Sequence, residues 1–130
     1  MMSLLLQARC EGVLIGAIVG REAEYPHTDD DCCGYIAMLA VAKSHRRRGI
    51  GRGLVEHVVE EMKKRCFMVE LEAEHVNAGA IRLYESLGFV RTHRMNKYYL
   101  HGSDAFRLKL PLRAPRWQLA ASAAAVSDDS

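Results

Sequence analysis

The sequence predicts a mixed α/β (α+β) sheet, mostly antiparallel, with a parallel strand–helix–strand crossover at its centre and two helices. Three observations carry this. Tyr35 to Val41 is an almost wholly apolar run, too short for a typical helix and suited to a strand buried on both faces. Leu54, Val55, Val58, Val59 and Met62 then recur at helical spacing. Phe67 to Glu74 alternates strictly, with Phe67, Val69, Leu71 and Ala73 on one side and Met68, Glu70, Glu72 and Glu74 on the other. Strand, helix and strand in that order imply a right-handed parallel crossover over 35–73.

Taken in order, Leu4 to Ala8 and Val13 to Val19 are apolar runs separated by Cys10-Glu11-Gly12, the pattern of a hairpin. Residues 24–34 are polar and broken by Pro26 and Gly34, which predicts a loop. Residues 43–52 form a basic loop before the first helix. On that helix Glu60 and Lys64 are spaced as an i,i+4 pair, and Arg65 is expected in the last turn, favourable to the helix dipole. Asn77 is a good N-cap for a second helix through Ala80, Ile81, Tyr84 and Leu87, which Gly88 ends. Phe89-Val90, Lys97 to Leu100 and Ala105 to Leu112 complete the strands, with His101 to Asp104 as the last turn.

A length of 130 residues fits one domain at about 150 residues per domain. The expected division is a domain over 1–113 and a mobile Ala/Ser-rich tail over 114–130. Apolar residues make up 49% and charged residues 26%, which excludes disorder, collagen-like repeats and a disulfide scaffold. Such a chain can bury a core without a metal or disulfide staple.

A net charge of +2 and a single basic segment do not point to nucleic acid or an anionic membrane. Cys10, Cys32, Cys33 and Cys66 include no Cys-x-x-Cys pair, and the six histidines lack zinc-ligand spacing. Adjacent Cys32 and Cys33 suit neither an ordinary disulfide nor a common metal site, so free thiols in a reducing compartment are expected. The first apolar stretch is short for a signal peptide, and no run approaches the roughly 18 residues of a membrane span. The expectation is a cytoplasmic protein with no bound metal.

Two stretches carry chemistry. Arg46-Arg47-Arg48-Gly49-Ile50-Gly51 lies between a buried strand and an amphipathic helix. Such a turn offers backbone N–H groups and the positive helix end to an anion, and glycines let a phosphate approach closely. A diphosphate suits it. The spacing is neither that of a nucleotide-hydrolysing P-loop nor that of a dinucleotide site. On this stretch alone, a solvated basic turn is the plain alternative. The second stretch, Asn77 to Phe89, reads by itself as a capped helix packed through Tyr84 and Leu87.

Together the two stretches resemble the signatures of the GCN5-related N-acetyltransferases, which use acetyl-coenzyme A. Arg46, Gly49 and Gly51 meet the first, Gln/Arg-x-x-Gly-x-Gly/Ala. Asn77 to Phe89 meets every fixed position of the second, Asn-x-x-Ala-x-x-Leu-Tyr-x-x-x-Gly-Phe. Gly34 to Val41, Leu71 to Glu74 and Tyr98 to Leu110 narrow the likeness to the NatC-type protein N-terminal acetyltransferases. The likeness covers about residues 3–113 and starts near the family's second strand, without the family's first strand and two helices. Either the chain is a fragment, or another protein supplies the wall of the peptide groove that those helices form.

The resemblance implies transfer of an acetyl group from acetyl-coenzyme A to the α-amine of protein N-termini, with Met followed by a large apolar residue preferred. It implies Glu72 as the base acting through water, Tyr84 as the acid for the leaving thiolate, and Tyr35 in the same site as a relay. The backbone of Leu39, Ala40 and Val41 would pair with the pantetheine arm. Arg46, Arg47, Arg48, Gly49, Ile50, Gly51 and Arg52 would hold the diphosphate, and Asn77 would hold the pantetheine or the Tyr84 helix. Ala37, Tyr98 and Tyr99 would contact the peptide. No cysteine and no acyl-enzyme are required. Auxiliary subunits of the NatC type and the ribosome are the implied partners. Two other readings stay open: a lysine or small-amine acetyltransferase, and a coenzyme A-binding chain with impaired catalysis.

Overall fold

A computed structural model describes residues 2–24, 31–96, 102–115 and 118. Six strands form one sheet: β1 (Met2–Cys10), β2 (Val13–Glu24), β3 (Cys32–Val41), β4 (Cys66–Glu74), β5 (Val90–Met95) and β6 (Ala105–Pro111). Their order across the sheet is β1-β2-β3-β4-β6-β5. β3 and β4 are parallel, and every other neighbouring pair is antiparallel. The helices are α1 (Ile50–Met62) and α2 (Ala78–Ser86). The expected mixed sheet with one parallel crossover at its centre is the observed one. No described helix is long and apolar enough to cross a membrane.

The hairpin turns on Glu11 and Gly12, both at positive φ, which matches the twist of the strands it joins. Its strands outrun the apolar runs, and the expected loop over 24–34 is cut back at both ends. Glu24 belongs to β2, and Cys32 to Gly34 belong to β3, because the β2–β3 ladder continues to Glu24 opposite Cys32. Tertiary pairing overrides local polarity there. Buried Glu22 on β2 is tolerated because Arg65 grips it with two hydrogen bonds, at 2.6 and 2.8 Å.

That grip corrects the expectation for Arg65, which lies beyond the end of α1 rather than in its last turn. The expected Glu60–Lys64 pair is also replaced. Lys63 pairs with Glu60 and Lys64 with Glu61, each three residues apart on an exposed face. Such pairs contribute little.

Leu54, Val55, Val58, Val59 and Met62 of α1 are buried, as their spacing predicts. They join Ile18, Ile36, Val69, Leu71, Leu108 and the α2 residues Ile81 and Tyr84 in one core. Gly20 and Gly34 let α1 come close. A Cβ on Gly20 would sit 2.8 Å from Met62 Cε, and one on Gly34 2.5 Å from Met62 Sδ. Phe89 is buried rather than a strand residue, and the strand that follows begins at Val90. The expected strand over 97–100 and nearly all of the expected tail over 114–130 lie outside the described residues.

Candidate active site

The parallel ladder between β3 and β4 runs from Cys32–Cys66 to Tyr35–Glu70 and goes no further. Beyond it the strands part. Leu39, Ala40 and Val41 keep their partners on β2, so their edge toward β4 is left unpaired by the sheet. A cavity of about 290 Å³ opens in the gap, lined by Ile36 to Leu39, Leu71 to Glu74, and Asn77, Ala80 and Tyr84 of α2.

Strand alternation sets the two sides of this gap. Leu71 and Ala73 pack in the core with Tyr84, so Glu72 points to the opposite face. That face is not the solvated one its Glu70-Glu72-Glu74 pattern permits. The Glu72 side chain is only 9% exposed. Tyr35 donates its hydroxyl to Glu72 Oε2, and Arg107 Nη2 donates to Oε1 at 3.2 Å. Glu72 and Arg107 are register partners on β4 and β6, as are Glu70 and Lys109, whose charges meet at 3.3 Å. The Arg107 Nε is buried without a partner among the described residues. Reading the sequence missed Arg107. Its signal was the alternation Arg107, Lys109 opposite Glu70, Glu72, visible only once β4 and β6 are known to be neighbours.

Tyr84 is buried on α2, edge-on to Phe89 with ring centres 5.7 Å apart. Asn77 caps this helix by accepting a hydrogen bond from the Ala80 N–H at 3.1 Å. Gly88, at φ 102°, ends it. The cap fixes where Tyr84 enters the gap.

A second cavity of about 620 Å³ adjoins the first and shares Leu39, Asn77 and Ala80 with it. Ala40, Val41, Arg46, Arg47, Gly49, Ile50, Gly51 and Arg52 line it; Arg48 does not. The basic loop is shorter than expected, because α1 begins at Ile50 and its first turn contains Gly51 and Arg52. Gly49 in the left-handed conformation turns the chain into the helix, with Arg47 also at positive φ. A Cβ on Gly49 would meet nothing within 4 Å. One on Gly51 would come 3.6–3.8 Å from Val41, Leu83 and Leu39, inside the cavity wall.

The arginines divide by task. Arg46 Nε donates to the Val41 carbonyl, and Arg52 bridges Glu56 and Ser86 at 2.9 Å each. Arg47 and Arg48 make no side-chain hydrogen bond or ion pair among the described residues. The first-turn amides, the helix dipole and these cations make the cavity mouth receptive to an anion.

The structure thus brings Glu72, Tyr84, Tyr35, Ala37 and Leu39 to one gap, and the basic turn with Ala40, Val41 and Asn77 to its adjoining mouth. Tyr98 and Tyr99 lie outside the described residues.

A sheet whose central parallel strands part over a cleft, with a basic glycine turn at the mouth, is the architecture of an acyl-transferring α/β class. The chain belongs to the Acetyltransferase (GNAT) family, whose profile matches residues 2–89. It is 46% identical over 107 residues to N-alpha-acetyltransferase MAK3 of Arabidopsis thaliana, covering 82% of this chain and 55% of that one. It is 54% identical over 81 residues to N-alpha-acetyltransferase 30 of Xenopus laevis, covering 62% of this chain and 30% of that one. In the crystal structure of the NatC complex bound to Gag peptide and CoA, one chain superposes with a TM-score of 0.75 at 40% identity, covering 81% of this chain and 65% of that one. The chain therefore spans about half the length, or less, of the curated relatives it matches.

Proposed function

We propose that this chain carries the acetyl-transfer centre of a NatC-like protein N-terminal acetyltransferase, moving an acetyl group from acetyl-coenzyme A directly to an α-amine. The observation that carries the reading is the gap between β3 and β4, with Glu72 on one side, Tyr84 on the other and the Gly49 turn at its mouth. The identities to N-alpha-acetyltransferases, and the likeness to a complex holding peptide and CoA, support it.

Acetyl-coenzyme A and the peptide amine are the substrates. The unpaired edge of Leu39, Ala40 and Val41 hydrogen-bonds the pantetheine arm as a strand would, and one of its N–H groups steadies the developing oxyanion. The amides at Gly49 to Arg52, with Arg47 in the cavity lining, hold the diphosphate, and Arg48, outside that lining, adds only positive charge nearby. Glu72, through a water, takes the proton of the attacking amine. Tyr84, from the other side, gives a proton to the leaving thiolate. Each such proton transfer contributes typically about 100- to 10,000-fold. Tyr35 and Arg107 keep the Glu72 carboxylate in one orientation, and Ala37 borders the pocket for the first peptide side chain. Protein N-termini beginning with Met and a large apolar residue are the proposed substrates, in the cytoplasm, with auxiliary subunits and the ribosome as partners.

The test is incubation with acetyl-coenzyme A and a panel of N-terminal peptides, followed by mass. Acetylation of α-amines, fastest on Met followed by a large apolar residue, is expected. Transfer to lysine ε-amines alone would make it a lysine acetyltransferase. Thermal stabilisation by acetyl-coenzyme A without transfer would make it a coenzyme A-binding chain.

A further inference from the structure

Away from the cleft, the described residues gather Glu22, Cys32 and Cys66 under the C-terminal end of α1, their ligating atoms all within 4.8 Å of one another. Cys32 and Cys66 are register partners at the closed end of the β3–β4 ladder. They are not linked, and their sulfur atoms lie 3.1 Å apart. Neighbouring strands run about 4.8 Å apart, inside the Cα separation of about 4.4–6.8 Å that a disulfide spans. The sulfurs need only close to bonding distance.

A metal ion fits less well. Arg65 occupies both Glu22 carboxylate oxygens at 2.6 and 2.8 Å, and the cluster offers three ligand atoms where thiolate-bound zinc takes four. Cys33, the sequence neighbour, places its sulfur against the Gly34 carbonyl at 3.5 Å.

We propose that Cys32 and Cys66 form a thiol-modification site that closes to a disulfide by exchange with a small-molecule disulfide such as oxidised glutathione. Half-buried Cys32 is met first, since Cys66 is fully buried. The Cys32 thiolate attacks one sulfur of the reagent, forming a mixed disulfide and releasing one thiol. Cys66 then gives up its proton and attacks the Cys32 sulfur, releasing the second thiol. Two protein thiols are oxidised, one reagent disulfide is reduced, and the two protons leave on the released thiols. Burial holds the Cys66 thiol above its ordinary range, so the second step depends on the nearness of the two sulfurs. The product staples β3 to β4 at the closed end of their ladder, the end opposite the Tyr35–Glu70 pair beyond which the cleft opens.

The test treats the full chain with oxidised glutathione, alkylates the remaining thiols, and maps peptides without reduction. The expected result is one linked pair containing Cys32 and Cys66, lighter by two hydrogens, with Cys10 and Cys33 alkylated. The melting midpoint should rise by about 5 °C or more and fall back on reduction. Cys32→Ser and Cys66→Ala should each abolish the link and the rise, while Cys33→Ser keeps both. A mixed disulfide that persists on Cys32, a Cys32–Cys33 link, or one zinc per chain in the purified protein would overturn the proposal.

Discussion

Glu72 is gripped at both oxygens, by the Tyr35 phenol and the Arg107 guanidinium, on a strand face that sequence alternation alone would leave in water. A carboxylate so held can still accept a proton but has one geometry in which to do it. Glu72→Gln preserves size and most hydrogen bonds, so thermal stabilisation by acetyl-coenzyme A should survive while acetyl transfer falls about 100- to 10,000-fold. Activity within a few-fold of the parent across pH 6–9 would remove Glu72 from the base role. Tyr84 has a different constraint. A phenol is a weaker acid than an alkyl thiol by about 1.5 pKa units, so its proton transfer to the thiolate is uphill by about 2 kcal/mol in water. Tyr84→Phe keeps the ring against Phe89, and stability should change by less than about 1.5 kcal/mol. Turnover should fall about 10- to 1,000-fold, and an acyl donor with a more acidic thiol should recover much of it. Equal slowness with both donors would leave Tyr84 as a core residue. Both residues were legible in the sequence through family motifs. Arg107 was not, because its partner lies 35 residues away and no local pattern states which strands are neighbours.

The elements show where local signals mislead. Gly34 looks like a strand breaker beside a polar stretch, yet it sits inside β3 because α1 leaves no room for a Cβ there. Gly34→Ala should therefore destabilise the chain by about 1–3 kcal/mol, read from denaturant unfolding, although Ala is the better strand former. No measurable cost would mean that Met62 moves aside freely. The start of α1 was placed too late for the opposite reason. Gly51 and Gly53 look unhelical, but Gly51 lies in the first turn, where an amide has no helical partner to lose, and the Gly53 N–H makes the first helical bond, to the Gly49 carbonyl at 2.9 Å. Gly49, at φ 78°, tests the anion site directly. Gly49→Ala and Gly49→Glu share a backbone cost of about 1 kcal/mol. Only Gly49→Glu, which puts negative charge at the mouth, should abolish stabilisation by acetyl-coenzyme A in a melting experiment. Equal loss in both variants would assign the effect to backbone strain.

For the molecule as a whole, ligand at 100 times its dissociation constant should add about 2.7 kcal/mol to the folded state, a shift any melting curve resolves. Acetyl-coenzyme A should produce it and acetate should not, since the proposed contacts are with the diphosphate and pantetheine. Element order and strand type were legible because periodicity is local. The insertion of β6 between β4 and β5 was not, since it depends on edges that meet only after folding. That insertion also shapes the kinetics. β1 and β2 close across a two-residue turn, a fast event. β4 must instead find β3 and β6, and the Cys32–Cys66 and Glu72–Arg107 contacts on those two ladders span 34 and 35 residues. Such non-local pairings carry the entropy cost of loop closure before any contact offsets it, which slows folding. The cleft opens where the first of these ladders stops, and Glu72 and Arg107 are partners on the second. Holding the Glu72 carboxylate in place and closing these long-range ladders are thus a single event, and a chain that has not closed them has no gripped carboxylate beside the cleft.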